Sequence, residues 1–162
     1  MKKKSTIGIL ALVLSACLLG ACAKEAKDQI FIKDDMYIVL TEKFREDEVS
    51  GQTVSYRSNR SVVVLLRDEF SGLEGLDIEA TDEAAYAELV IYNNGIESLV
   101  EEVDGLTTFS YQKKVKDKDY SYLAVTYKGA QAYYLIQFAC ETEEFEDLRP
   151  LFLKWAKTFK YT

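Results

Sequence analysis

The chain has 162 residues, 20 Lys and Arg against 27 Asp and Glu, three Cys, one Pro and no His. Its length fits a single domain, and 48% hydrophobic with 12% aromatic residues excludes a disordered polymer. Lack of His removes the commonest general base near neutral pH and the commonest metal ligand, which excludes His-dependent triads and His-ligated zinc or haem.

Met1-Lys2-Lys3-Lys4 is a cationic start, and residues 7–19 are apolar apart from Gly8 and Ser15. That run is short for a membrane span, which needs about 20 apolar residues, and has the length of a signal-peptide core. It ends in Leu19-Gly20-Ala21-Cys22, which resembles the lipobox of bacterial lipoproteins. Small side chains there admit the peptidase, and the thiol forms the thioether to diacylglycerol. A second match, Leu14-Ser15-Ala16-Cys17, would leave Leu18 and Leu19 on the mature chain, so Cys22 is the expected lipidation site.

The expected organisation is therefore a signal peptide over 1–21, a short polar linker over 22–29 and one domain over 30–162. Removing residues 1–21 takes away three Lys and no acidic residue, leaving 17 basic and 27 acidic residues, a net charge of −10. That balance disfavours nucleic acid and anionic lipid as partners. The linker reaches at most about 25 Å, which holds the domain close to the outer face of the cell membrane. With Cys22 lipidated, Cys140 has no disulfide partner, and its apolar surroundings mark it as a buried, inert thiol.

In chain order, Ile30-Phe31-Ile32 and residues 36–40 flank Lys33-Asp34-Asp35 as a hairpin, and Thr41 to Phe44 form one helical turn. Residues 54–57 and 61–67 flank the turn Ser58-Asn59-Arg60. Val62-Val63-Val64-Leu65-Leu66 is apolar at every position, the pattern of a central strand covered on both faces. A helix is expected over 82–94, with Thr81 as N-cap, Asp82 and Glu83 in its first turn, Tyr86, Leu89, Val90 and Asn93 at helical spacing, and Gly95 as terminator. Residues 99–103, 106–115, 120–127 and 131–140 form a four-stranded antiparallel meander, its first turn marked by Asp104-Gly105. Phe145, Leu148, Phe152, Trp155 and Phe159 then recur at spacings of 3, 4, 3 and 4, one apolar helix face beginning near Thr142. Pro150 either kinks that helix or starts its regular part.

In this order Met36-Tyr37-Ile38-Val39-Leu40-Thr41-Glu42-Lys43-Phe44, Glu69-Phe70 with Leu73-Glu74-Gly75, Tyr86-Ala87-Glu88-Leu89-Val90 with Asn93-Asn94-Gly95, Tyr127-Lys128-Gly129, Gln137-Phe138-Ala139-Cys140 and Phe152-Leu153-Lys154-Trp155-Ala156-Lys157 resemble a family of Firmicutes lipoproteins with the Mog/PsbP-like fold. The resemblance covers about residues 30–160. It implies an α+β domain, a mostly antiparallel β-sheet sandwiched between helices. It brings no activity with it. The wider fold includes the PsbP subunit of photosystem II and Ran-binding Mog proteins, which dock onto other proteins, and no motif here carries either partner across.

Chemistry-bearing clusters are few. Glu143, Glu144, Glu146 and Asp147 lack the Asp/Gly loop pattern of a calcium site and read as a dipole-matched helix start. Glu101-Glu102 reads as a solvated surface pair, and Lys113 to Asp119 as a solvated hairpin tip. There is no Gly-rich phosphate loop and no Cys-x-x-Cys. Tyr111, Tyr120, Tyr122, Tyr133 and Tyr134 crowd three neighbouring strands, either as cross-strand packing or as a half-exposed binding platform. No cofactor and no metal are expected. The expectation is a non-enzymatic, membrane-anchored extracytoplasmic module that binds another envelope protein, with a small-ligand or envelope-polymer sensor as the alternative.

Overall fold

The computed structural model describes residues 26–47, 53–73 and 80–162. The signal segment, Cys22 and most of the linker lie outside the described residues, as do Glu74 and Gly75 and the connection they belong to.

Among the described residues, ten strands and two α-helices run in the order β1 (Asp28–Lys33), β2 (Met36–Thr41), β3 (Arg45–Asp47), β4 (Val54–Arg57), β5 (Ser61–Glu69), α1 (Glu83–Asn94), β6 (Glu101–Val103), β7 (Leu106–Val115), β8 (Lys118–Lys128), β9 (Ala132–Glu141), α2 (Phe145–Ala156) and β10 (Lys160–Tyr161). Strands β3-β4-β5-β9-β8-β7-β6 form one antiparallel sheet, and β1-β2-β10 form a second, smaller one. β1 begins two residues inside the expected linker, because Lys27 O already accepts from Glu42 N at 2.8 Å. The expected helical turn at Thr41 to Phe44 is a tight turn closed by Phe44 N donating to Thr41 O.

The meander forms as its turns dictate. Asp104 and Gly105 both take positive φ, 56° and 76°, the type I′ geometry that matches strand twist. The next tip is tighter than expected, with only Lys116 and Asp117 between β7 and β8.

Alternation along each strand then divides the side chains between two faces. Val63, Leu65, Leu123, Val125, Tyr134, Ile136 and Phe138 point to one face, where α2 and the inner side of β2 (Met36, Ile38, Leu40) cover them. Phe152 is fully buried there between Phe138 and Trp155. α1 lies on the opposite face, where Tyr86, Ala87 and Leu89 pack on Phe109, Ala124, Tyr133 and Leu135.

The helix ends differ in instructive ways from the sequence expectation. Asp82, not Thr81, caps α1: its carboxylate accepts from Ala85 N at 2.8 Å. Gly95 closes the helix in the left-handed conformation, φ 60°, and Asn93 is exposed rather than on the packed face. In α2, Pro150 lies inside the helix, so the regular part does not begin there. Pro150 and Glu146 are both exposed. The Glu146 carbonyl, deprived of its i+4 donor, is left to water, which limits the cost. The helix stops at Ala156, and Phe159 joins the core from the turn that leads into β10.

One expectation fails in a way that shapes the site. Val62 to Leu66 is central, but its second face is only partly covered: Val62 and Leu66 are half-buried. α1 spans the β7–β8–β9 end of that face, and among the described residues no helix covers the part around Val62.

Candidate functional site: the open half of the sheet

The register defines which side chains share this open half. Tyr111 faces Tyr122, Tyr122 faces Ala139, Ala139 faces Val62, and Val62 faces Arg57. In the adjacent row Ala124 faces Gln137, Gln137 faces Val64, and Val64 faces Ser55. The floor is therefore valine and alanine, with tyrosines at one end and the Ser58-Asn59-Arg60 turn at the other.

Two hollows occupy this floor. One, of about 550 Å³, is lined by Ser55, Arg57, Asn59, Arg60, Val64 and Tyr120 among others. The second, of about 570 Å³, lies under the end of α1 against Asn94, Glu97, Tyr111 and Lys113. Tyr122 and Gln137 line both. A more open depression of about 700 Å³ lies beside Phe31, Phe44 and Arg45. There the Arg45 guanidinium is spent on the carbonyls of Glu42 and Phe44.

The Tyr111 and Tyr122 rings stack with centroids 4.6 Å apart and planes 3° from parallel. Gln137 Nε2 donates to Tyr111 Oη at 3.3 Å. Burial, and then the neighbouring Tyr122, pushes the Tyr111 hydroxyl up to about 12, and burial also raises that of Tyr122. Both stay protonated, hence able to donate, at any physiological pH. At the far end Ser55 Oγ is buried and has no hydrogen-bond partner among the described residues, a state that costs about 1–3 kcal/mol.

The charges around the first hollow are paired, whereas Lys113 and Glu97 at the second make no ion pair among the described residues. Arg57 Nε meets Asp47 at 2.8 Å, Arg60 Nε meets Glu144 at 2.8 Å, and Lys118 meets Glu141. Glu144 thus serves an ion pair at the start of α2. Among the described residues no group of three His, Cys, Asp or Glu side chains is placed to hold a metal ion.

Of the five tyrosines singled out by sequence, three share this face and two do not. Tyr133 and Tyr134 are 2% and 3% exposed, and the expectation of a binding role is corrected for both. Tyr133 stacks on Tyr86 under α1 and donates to Ala80 O at 3.0 Å. Tyr134 sits in the other core, donating to Asp35 at 2.6 Å and stacking on Tyr161. Neighbours on a strand point to opposite faces, and here both faces are covered. Tyr111, Tyr120 and Tyr122 are half-buried on the open face. Cys140 is buried against α2, and burial pushes its thiol up to about 11.

Ser55, Arg57, Val64 and Gln137 were not singled out by sequence. The period-2 pattern of β4 and β5 places the first three on one face, but only the β5–β9 register brings them to Gln137.

No family model and no curated protein sequence matches the chain. Solved structures do. Cyanobacterial PsbP from Synechocystis matches with TM-score 0.56 and 14% identity over 89% of this chain and 99% of that one. The Ran-binding protein Mog1p of Saccharomyces cerevisiae matches with TM-score 0.55 and 10% identity, covering 84% and 96%. A Bacteroides thetaiotaomicron protein matches with TM-score 0.56 and 7% identity over 85% of this chain and 48% of its own. The chain has the Mog/PsbP-like fold. The expected antiparallel α+β sandwich is the one observed, and identities this low carry the fold alone.

Proposed function

We propose that the chain is a lipoprotein, cleaved before Cys22 and held at the outer face of the cell membrane by its lipid, whose domain is a non-catalytic binding module for a component of the cell envelope. The lipobox and the short reach to β1 support the anchoring. The observation that carries the binding role is the half-covered sheet face, with Tyr111 and Tyr122 stacked beside two hollows on an apolar floor. A face with stacked aromatics and paired ions suits recognition. Anchoring raises the local concentration of the domain at the membrane, so even a weak site there is occupied.

A partner protein, the first expectation from sequence, finds support at a different place. Ile30 and Ile32 are 61% and 70% exposed on β1, the edge strand of the small sheet. On the open face Val115, beside the first hollow, is the one exposed large hydrophobic residue among the described residues, so the hollows favour a ligand over a broad protein interface.

Cross-linking in intact cells, read by mass spectrometry, tests the role of the anchor. Wild type captures an envelope component in near-stoichiometric yield, and Cys22→Ser, released from the membrane, does not. Equal capture by both, or capture of nothing, contradicts the reading.

A further inference from the structure

The chemistry of the two hollows narrows what they bind. Their residues run from β4 to β7, four strand spacings of about 4.8 Å, so the floor extends about 19 Å across the strands. The ligand is therefore elongated. The arginines on the rim are already neutralised by Asp47 and Glu144, and Lys118 by Glu141. At the first hollow an anion would have to displace a carboxylate, and a cation a guanidinium or ammonium; at the second, Lys113 and Glu97 carry opposite charges and leave no net charge, so an uncharged ligand matches best. What the hollows present are neutral groups able to donate or accept: the Tyr111 and Tyr122 hydroxyls and the Gln137 and Asn59 amides.

A peptide could not exploit this face as it exploits a sheet edge. The β5, β9 and β8 backbones beneath it are paired on both sides, leaving no ladder to extend. A chain of pyranose rings matches what the face offers. It carries hydroxyls in both donor and acceptor roles, and flat C–H surfaces that lie against a half-buried tyrosine ring.

We infer that the open half of the sheet is a binding groove for an uncharged oligosaccharide, its sugar rings lying across β5, β9 and β8 against Tyr122 and Tyr120. This rests on the reading of the domain as a binding module and gives that module its ligand class. Tyr122, which lines both hollows, is the central contact. Gln137, bonded to Tyr111, holds an amide oxygen that takes no hydrogen bond among the described residues and can accept from a sugar hydroxyl.

The test is an NMR titration of the purified mature chain carrying Cys22→Ser. The probes are chitotetraose and cellotetraose, with an anionic oligogalacturonide and tetra-alanine as controls, each up to about 10 mM. One neutral tetrasaccharide is expected to shift the amides of Val64, Tyr111, Tyr122 and Gln137. Tyr122→Ala should weaken that binding by about tenfold or more, and Gln137→Ala, which leaves the aromatic stack in place, by several-fold. Where Tyr122→Ala does not fold, Gln137→Ala decides. No shift with either neutral probe, shifts confined to other surfaces, or tighter binding of a control would overturn the inference. Capture of an envelope protein in cells beside a silent titration would overturn the sugar and leave the binding module standing.

Discussion

Tyr111 and Tyr122 stand directly opposite each other on β7 and β8, rings 4.6 Å apart and 3° from parallel, at the boundary of the area that α1 covers. Phe109, two residues before Tyr111, is sealed under the helix, whereas the pair itself is half-buried. The same contact therefore stabilises the sheet and forms a wall of the groove. A double-mutant cycle with Tyr111→Ala and Tyr122→Ala, read by urea unfolding, should give a coupling of about 0.5–1.5 kcal/mol. Additive losses would mean that the two rings touch without stabilising each other.

Alkaline pH should loosen the fold through its tyrosines. Burial, with Glu46 adding to it, pushes Tyr56 up to about 12, and burial with Tyr122 does the same to Tyr111. Burial raises Tyr127 as well. The unfolded chain ionises near 10, the folded one higher, so the stability is complete below pH 10 and is lost between pH 10 and 12. Thermal unfolding against pH should show a flat midpoint from pH 7 to 9 and a fall above 10. A midpoint that holds to pH 12 would contradict this burial.

Cys140 should be inert in the folded protein. It is 2% exposed in the α2 core, and its thiol is pushed up to about 11 by burial, with Glu144 adding to it. Only a trace is thiolate at neutral pH, and none of it is reachable. Iodoacetamide should label Cys140 at the rate of unfolding and label it fully in about 6 M guanidinium. Prompt labelling in native buffer would show that α2 does not seal this position.

Gly129 is required for space. A Cβ there would meet Tyr134 Cε2 at 2.9 Å, and Ala132 O and Tyr161 Cδ2 each at 3.3 Å. The Tyr134 ring cannot retreat freely, since it stacks on Tyr161 and its hydroxyl is held by Asp35. Gly129→Ala should destabilise by about 1–3 kcal/mol, the usual cost of overpacking. An unchanged denaturation midpoint would mean that the Tyr134–Tyr161 stack yields.

Much of this fold is legible locally. Asp104-Gly105 announces its turn, the alternation of β7 to β9 announces the meander, and the 3-4-3 spacing from Phe145 to Trp155 announces α2. The β1–β2 hairpin of the small sheet is legible too, but its third strand is not, because β10 is two residues long and pairs with β2 across more than a hundred positions. The cap of α1 shifted by one residue, since Thr81 and Asp82 are both good caps and only tertiary geometry chooses between them. The site was half legible. Residue identity brought out the tyrosines, but whether a sheet face is covered depends on where the helix lands. α1 seals Tyr133 beside Tyr86 and stops short of Tyr122, and no local pattern in the chain distinguishes those two positions.

Sedimentation of the purified Cys22→Ser chain with isolated envelopes of the cell that produces it tests the central claim most directly, comparing the parent with the added substitution Tyr122→Arg. A bulky cation on the open face should block the groove while leaving both cores intact. The account predicts that the parent co-sediments saturably and that Tyr122→Arg loses about tenfold or more in affinity with a near-parental unfolding midpoint. Equal co-sedimentation of the two folded proteins would place the binding surface elsewhere, and co-sedimentation of neither would contradict a binding role for this face.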